Sequence, residues 1–422
     1  MIVAPSLKDL TAVFGRIGLL SFGGPAAQIA LMHKELVEDR DWLSESDFLR
    51  ALSFCMLLPG PEAMQLATFA GWKQRGVVGG LIGGGLFVLP GAIVMAALVL
   101  AYGRFGTLPL VQAMFLGVQA TVVVIVIGAL RKVAGKALTG PPGWIIAVAV
   151  FVALFVFGLP FPLLILLSAG LGAVWLRPKG ESVRTTTRLR WGPSLRAIGI
   201  GGVLWAAPVL VLIGLDASFL TDLAVFFSTL AVVTFGGAYA VLAYMTQTVV
   251  QDFGWISTAQ MMDALGLAET TPGPLILVTQ FVGMLAGLLE GGIGLALIAG
   301  AVTLWVTFVP CFIWIFAGAP LIDWLDGQPR LQGALSGITA AVVGVIANLS
   351  LWFAAHVFFG EVVTIKDGIF DMILPRLGTL NPPALILAGL AALLLLWRGW
   401  GLLSVLGLMA ALAGLAGPLG LV

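Results

Sequence analysis

The sequence predicts an all-α polytopic membrane protein made of two inverted-topology homologous repeats with broken or re-entrant helices. Three observations predict it. The 422 residues are 60% hydrophobic and only 10% charged, against roughly 25% charged in a soluble domain. Apolar runs of bilayer length recur along the chain. The stretch Phe22 to Pro61 also returns, without a gap, 213 positions later as Phe235 to Pro274, which marks two copies of one unit.

The repeat holds three separated motifs in register: Phe22-Gly23-Gly24 with Phe235-Gly236-Gly237, Trp42-Leu43-Ser44 with Trp255-Ile256-Ser257, and Pro59-Gly60-Pro61 with Pro272-Gly273-Pro274. Beyond them Pro90 answers Pro310, Gln112 answers Gln332, Gly117 answers Gly337, and Pro141-Pro142 answers Pro382-Pro383. The expected division is an N-terminal repeat over 1–176, a basic linker over 177–197, one extra helix over 198–215 and a C-terminal repeat over 216–422.

A span of a bilayer about 30 Å thick needs roughly 20 apolar residues. Val77 to Leu100, Leu108 to Leu130, Ile198 to Leu215, Gly291 to Ile315 and Gly333 to Phe353 meet that length. Shorter apolar pieces pair up: Gly143 to Gly158 with Phe161 to Leu176 across a Gly158-Leu159-Pro160 turn, and Pro382 to Leu396 with Leu402 to Val422. Met1 to Leu10 has neither the basic n-region nor the apolar h-region of a cleaved signal, so the first helix is expected to stay. Cys55 and Cys311 lie in apolar surroundings and read as reduced core residues rather than a disulfide or a metal pair. The near-zero net charge points to no nucleic-acid partner.

Basic loops stay cytoplasmic. Arg131, Lys132 and Lys136 mark one cytoplasmic end, and Arg177, Lys179, Arg184, Arg188, Arg190 and Arg196 mark the linker. The Gly158 to Pro162 turn carries no charge and faces outward. The extra helix then leads to Asp216 and Asp222, so the second copy starts outside where the first, beside Lys8, starts inside. The repeats are therefore expected to be inverted about a pseudo-two-fold axis in the membrane plane, an arrangement of transporters.

The Gly/Pro motifs are where chemistry is expected. Pro59 and Pro61 remove backbone donors, and Gly60 permits torsions other residues resist. A helix starting at Ser44, with Asp47 three residues on, should end near Leu58 and restart after Pro61. Irregular backbone at membrane depth is tolerated where it is buried in protein or lines a wet cavity. Restarted half-helices aim free N–H groups and a positive dipole end at that point, which suits an anion. Ser21, Phe22, Gly23 and Gly24, with Phe235, Gly236 and Gly237, make the same kind of turn before Ala26 and Ala238. The competing reading is that these motifs are packing hinges; their recurrence at one spacing in both halves favours a site.

Ionisable residues in apolar stretches usually face the protein interior. Arg16 precedes the first Gly-Gly break and is either an oxyanion clamp or a side chain reaching the cytoplasmic face. Glu62 follows the first Pro-Gly-Pro and shares a helix face with Gln65; Glu269 precedes the second, beside Thr270 and Thr271. A buried carboxyl near an anion can take up a proton as the substrate binds, which makes both glutamates proton-coupling candidates; a helix cap is the alternative for Glu62 and suits Glu269 less well. His33, beside Lys34 and Glu35, reads as a solvated loop residue rather than a ligand.

Ser21-Phe22-Gly23-Gly24-Pro25, Trp42-Leu43-Ser44, Leu57-Leu58-Pro59-Gly60-Pro61-Glu62, Phe87-Val88-Leu89-Pro90 and Glu269-Thr270-Thr271-Pro272-Gly273-Pro274 together resemble the chromate ion transporter family, in its long form of two fused homologous domains. The resemblance implies a carrier of the bacterial inner membrane that exports chromate from the cytoplasm, confers chromate resistance and is driven by the proton motive force. It maps the family's paired segments onto Gly23, Gly24, Pro59, Gly60 and Pro61, and onto Gly236, Gly237, Pro272, Gly273 and Pro274. Where many relatives carry a His after the first Gly-Gly-Pro and a Gln before the first Pro-Gly-Pro, this chain has Gln28 and Met56. Chromate has the size and shape of sulfate, so a sulfate or other oxyanion carrier is the alternative, as is a passive anion channel.

An enzyme of the membrane is not expected: there is no Cys-x-x-Cys and no Gly-x-Gly-x-x-Gly fingerprint, and His33 and His356 are not equivalent in the repeat. No cofactor is expected; the lipid bilayer is the surrounding medium, and a homodimer is open. The second half carries an extra stretch over Phe358 to Gly378, in which Glu361 to Arg376 reads as an amphipathic external segment on the membrane or at a subunit contact.

Overall fold

The computed structural model describes residues 5–138, 140–177, 191–233, 235, 238–322 and 328–419. The linker cations Lys179, Arg184, Arg188 and Arg190, and the glycines Gly236 and Gly237, lie outside the described residues. Among the described residues the first half carries α1 Leu7–Leu20, α2 Gly24–His33, α3 Glu45–Leu57, α4 Glu62–Phe105, α5 Pro109–Ala137, α6 Pro141–Phe155 and α7 Phe161–Trp175. After α8 Trp191–Gly214 the series returns as α9 Ser218–Val233, α10 Ala238–Gln247, α11 Thr258–Thr270, α12 Val278–Gly318, α13 Pro329–Phe358, α14 Pro382–Ala392 and α15 Leu402–Ala416. Even the π-turns recur, at Lys34–Glu38 after α2 and at Thr248–Asp252 after α10.

Five helical stretches are long and apolar enough to cross a membrane, Glu62–Phe105, Pro109–Ala137, Trp191–Gly214, Leu275–Leu321 and Pro329–Phe358. They fall on the five predicted runs. The two longest are not straight rods. Backbone torsions leave the helical region at Arg75 and Gly76 in α4, and at Gly291 and Gly292 in α12. Each chain folds back there: a Cβ on Gly71 would stand 2.1 Å from the Gly79 carbonyl, and one on Gly287 2.9 Å from the Leu295 carbonyl. Gly76 and Gly292 take φ of 59° and 77°, a left-handed conformation that costs glycine little. Both elements are therefore hairpins with a short arm after Pro-Gly-Pro and a long returning arm. Absence of side chains lets the arms touch backbone to backbone, as small residues do in membrane helix packing.

The predicted all-helical reading needs one correction. Glu361 to Arg376, read from sequence as an amphipathic external segment, holds no long helix but an antiparallel hairpin, β1 Val362–Asp367 with β2 Phe370–Pro375, in which Asp367 pairs with Phe370. Val362, Val363, Thr364 and Ile365 are β-branched, which favours a strand. Gly368, with φ of 57°, takes the first loop position, where a tight hairpin turn uses glycine.

The described chain gathers into two compact units, and each draws on both sequence halves. The first comprises Met1–Leu100, Glu181–Ala238 and Leu267–Gln328; the second comprises Ala101–Gly180, Tyr239–Gly266 and Pro329–Val422. In the first unit, α9 and α8 pack on α12, and the core is built on Phe14, Phe48, Phe54, Phe87, Phe227 and Phe281. The extra helix α8 buries only Ser194 and Leu212 and is tied to α12 by two indoles, Trp205 donating to the Val306 carbonyl at 3.0 Å and Trp305 to the Leu204 carbonyl at 2.9 Å.

In the second unit α6 and α7 of the first half pack on α13 of the second, while α14 and α15 pack on α5 of the first. The exchange is reciprocal down to single residues. A Cβ on Gly117 would meet the Met409 carbonyl at 2.1 Å, and one on its repeat mate Gly337 would meet the Ser168 carbonyl at 2.2 Å.

Replacing Gly71 by Val drives a branched side chain into the Gly79 carbonyl. Overpacking costs about 1–3 kcal/mol, so Gly71→Val should lower the thermal midpoint of the detergent-solubilised protein, while Gly85→Ala, which meets nothing within 4 Å, should leave it unchanged or raised. Equal midpoints for the two variants would sink the hairpin reading of α4.

Candidate functional site

All the breaks that the repeat singles out, as far as they are described, belong to the first unit. α1 ends at Ser21, whose hydroxyl turns back to the Ile17 carbonyl at 2.5 Å. The next amide makes the same tight turn in both halves, Phe22 N–H to the Leu20 carbonyl at 2.9 Å and Phe235 N–H to the Val233 carbonyl at 3.0 Å. Gly23 and Gly24 then adopt φ of 85° and 78°, and α2 begins. The predicted second break is equally plain: α3 is capped by Ser44 on the Asp47 amide, ends at Leu57, and α4 restarts at Glu62 after Gly60 at φ 116°. In the second half α11 ends at Thr270, Gly273 takes φ 89°, and a 3-10 turn Leu275–Leu277 leads into α12.

The two kinds of break are joined across the halves. The Gly273 amide donates to the Ser21 carbonyl at 2.9 Å. Gln28, 2% exposed, donates from Nε2 to the Gly273 carbonyl at 2.7 Å and to the Ser21 carbonyl at 3.2 Å. One buried amide thus holds two irregular backbone segments drawn from opposite halves. Sequence reasoning noted Gln28 only as a departure from a family pattern; the available signal was a lone amide on the otherwise apolar helix Gly24–His33.

Each Pro-Gly-Pro also leans on the long arm of the other half. Gly60 lies against Cys311, whose Sγ would be 2.9 Å from a Cβ there, and Gly91 lies against Pro272, whose carbonyl would be 2.1 Å from a Cβ at Gly91. Cys311 follows Pro310 and Gly91 follows Pro90, the repeat mates. Pro59, Gly60, Pro61, Thr271, Pro272, Gly273 and Pro274 are all buried. The first intrahelical bond of α4 runs from the Gln65 amide to the Pro61 carbonyl at 3.1 Å, so the amides of Ala63 and Met64 precede the helix ladder at the break.

The side chains named from sequence separate into groups. Gln65 is fully buried and donates from Nε2 to the Pro59 carbonyl at 2.6 Å, leaving Oε1 without a partner. Gln280 does the like on α12, donating to the Ala92 carbonyl at 2.9 Å with Oε1 unpaired. Glu62 is half-buried at the first position of α4, and Glu269 is 8% exposed in the last turn of α11, where the helix dipole disfavours an anion. The Thr271 hydroxyl turns back to the Leu267 carbonyl at 2.9 Å. Arg16 stands apart from the breaks: its side chain is 62% exposed and lies 3.6 Å from Glu35. Glu35, a buried carboxylate, is compensated by Arg40 at 2.5 Å as well.

His33 is the last residue of α2 rather than a solvated loop residue. Its ring bridges Glu38 at 3.0 Å and Glu45 at 2.7 Å and meets Phe48 edge-on. Among the described residues no group of His, Cys, Asp and Glu is gathered as a metal requires.

Two expectations follow from these contacts. Removing the Gln28 amide strands the buried Gly273 carbonyl, while the Ser21 carbonyl keeps the Gly273 amide, at a cost of about 1–3 kcal/mol; Gln28→Leu should lower the thermal midpoint in detergent, and Gln28→His, which keeps a ring N–H, should recover part of it. Indistinguishable midpoints for Gln28→Leu and the parent would rule out the clamp. The hydrogen bond that the His33 ring donates to Glu45, with Glu38 adding to it, holds the His33 pKa above its usual 6.5. A raised folded-state pKa gives stability that is present below 6.5 and lost as pH rises through the folded value. Ring-proton NMR should show His33 titrating above 6.5, and Glu45→Gln should bring it down.

Comparison with known proteins gives the chain its relatives. The model of the family described as chromate transporter matches residues 8–173 and 221–416. A probable chromate transport protein of Synechococcus elongatus is 31% identical over 345 residues, covering 82% of this chain and 84% of its own. The chromate transport protein of Cupriavidus metallidurans is 31% identical over 347 residues, 81% of each chain, and that of Pseudomonas aeruginosa 31% over 360 residues, 82% of this chain and 80% of its own. No solved structure matches at a significant level. With a family match across both halves, and relatives of this identity over four fifths of the chain, the protein belongs to the chromate transporter family.

Proposed function

We propose that the chain is a chromate carrier of the bacterial inner membrane that exports the anion from the cytoplasm on the proton motive force. The observation that carries this reading, beside family membership, is the meeting of the first Phe-Gly-Gly break with the second Pro-Gly-Pro break at Ser21, Gln28 and Gly273. Broken helices buried in protein at such a point are the usual form of a transporter binding site.

The proposed site takes the oxyanion on the amides of Ala63 and Met64 at the start of α4 and on those of the 3-10 turn after Pro274, with Gly23, Gly24, Gly60 and Gly273 at the breaks, Gly236 and Gly237 as their sequence counterparts, and Ser21, Phe22, Phe235, Gln65 and Thr271 as its flanks. Partial positive charge at helix N-termini suits a dianion. α3 and the short arm of α4 together measure about 40 Å at 1.5 Å per residue, enough to cross about 30 Å of hydrocarbon with the Pro-Gly-Pro break inside it. That length supports the broken-helix reading. Reciprocal packing of each break on the other half's long arm supports a two-fold relation of the repeats over 1–176 and 216–422. The sequence places a basic linker over 177–197 and an extra helix over 198–215; the helix itself is α8, Trp191–Gly214, and a single added helix between the halves supports inversion, with the linker proposed to be cytoplasmic. Arg16, exposed beside Glu35, fits a side chain reaching the cytoplasmic face better than an oxyanion clamp.

Glu62 and Glu269 adjoin the site and are proposed to bind the coupled proton: a bound dianion favours the protonated carboxyl. A second reading rests on the same backbone recognition. N–H groups read charge and shape alone, so sulfate or another oxyanion competes, and a carrier or exchanger of that class is the alternative, as is passive conduction.

Purified protein in liposomes tests this. Chromate should accumulate above equilibrium under an imposed pH gradient, with sulfate competing, and Glu269→Gln or Glu62→Gln should reduce the gradient-driven part about tenfold per lost proton at one pH unit. Flux that equilibrates at every gradient, with sulfate preferred over chromate, would replace the proton-driven chromate exporter by an oxyanion exchanger or channel.

A further inference from the structure

Asp263 lies outside the site just described. It is 6% exposed on α11, and each carboxylate oxygen takes one hydrogen bond. Oδ2 accepts from the Tyr102 hydroxyl near the end of α4 at 2.7 Å, and Oδ1 accepts from Gln119 Nε2 on α5 at 2.7 Å. All three residues belong to the second unit. One turn on, Gly266 seats against Val118 and Val122 of α5, and Tyr102 meets Phe115 edge-on at 5.4 Å. Among the described residues Tyr102 is the one titratable group facing the carboxylate, and no Lys or Arg pairs with it.

An ionised carboxylate held in an apolar interior is costly without a cation, and two neutral donors compensate it only in part. Architecture does not demand it. The repeat mates of Asp263, Tyr102 and Gln119 are Arg50, Ile322 and Thr339, and Arg50 is exposed on α3. The corresponding half-helix of the first repeat therefore forms with no carboxylate at this position. An unsymmetrical buried acid in a membrane domain marks a functional group.

The cluster also accommodates either charge state. As a carboxylate, Asp263 is acceptor-only and receives both bonds; with a proton on Oδ2 it donates to Tyr102, whose hydroxyl both donates and accepts, while Gln119 keeps its bond to Oδ1. We propose that Asp263 is a proton-binding site of the carrier, loading and releasing the proton on Oδ2 against the reversible Tyr102 hydroxyl. The link to transport rests on the carrier reading above. α11 runs from Asp263 to Thr270 and so directly into Thr271-Pro272-Gly273, which gives the charge on Asp263 a covalent path to the second break.

Two measurements on the full-length protein decide this, one of them independent of substrate. Infrared difference spectra between acid and alkaline pH should contain a protonated-carboxyl band that disappears in Asp263→Asn; identical spectra for parent and variant overturn the proposal, whether or not chromate is carried. In liposomes Asp263→Asn should retain chromate counterflow within about twofold and lose accumulation driven by one pH unit about tenfold. Unchanged gradient-driven accumulation, or loss of counterflow together with it in a folded variant, overturns the coupling role. If Asp263→Asn fails to fold, Tyr102→Phe replaces it, with the Asp263 band required to shift its titration midpoint and an unmoved midpoint counting against the proposal. A parent protein without any counterflow refutes the carrier reading alone, since the infrared band still reports the proton site.

Discussion

A backbone amide or carbonyl exposed to hydrocarbon has no water to turn to, and the fold is organised around that constraint. Regular helices satisfy it internally; the breaks at Ser21 and Gly273 do not. They satisfy each other, through the Gly273 amide on the Ser21 carbonyl and through Gln28 spanning both carbonyls. Because the two segments come from opposite repeats, each of these two breaks takes a hydrogen-bond partner from the other half. The exchange of elements between halves in both compact units follows the same logic.

Close backbone approach is the second recurring device. Gly71 on Gly79 closes the α4 hairpin, Gly91 admits the Pro272 carbonyl, and Gly117 and Gly337 admit Met409 and Ser168. At these positions a side chain would push apart backbones that now lie in direct approach. At Gly91 the approach is to a broken segment, which its small size lets lie buried in protein. Some of the buried polar residues bind backbone of other segments. Gln28, Gln65 and Gln280 each hold a backbone carbonyl near a break, while Asp263 is held by a hydroxyl and an amide away from any break.

Much of this was legible in the chain. The Pro-Gly-Pro breaks, the Ser44 cap, the restart after Pro61 and the five long apolar runs follow from local rules: proline lacks a donor, glycine alone is easy at positive φ, and about 20 apolar residues are needed to span. The hairpin of Val362–Asp367 with Phe370–Pro375 was locally legible too, in its β-branched run and its Asp-Gly turn, and was missed because an apolar membrane context favours reading every segment as helix. The folding back of α4 at Arg75–Gly76 was hidden for another reason. A single glycine in a glycine-rich run gives no local sign that the chain reverses there.

By itself the sequence determined that the protein is membrane-embedded, helical and internally repeated, and where its helices break, because composition, periodicity and proline or glycine chemistry act over a few residues. Only the tertiary structure decided what those breaks touch. Gln28 meets Gly273 from 245 positions away, Cys311 lies against Gly60, and Asp263 meets Tyr102 and Gln119 from 161 and 144 positions away. The repeat could pair equivalent residues with each other, but it carried no sign that each half would be completed by the other, since that outcome depends on which buried backbone groups find donors once all the helices are packed.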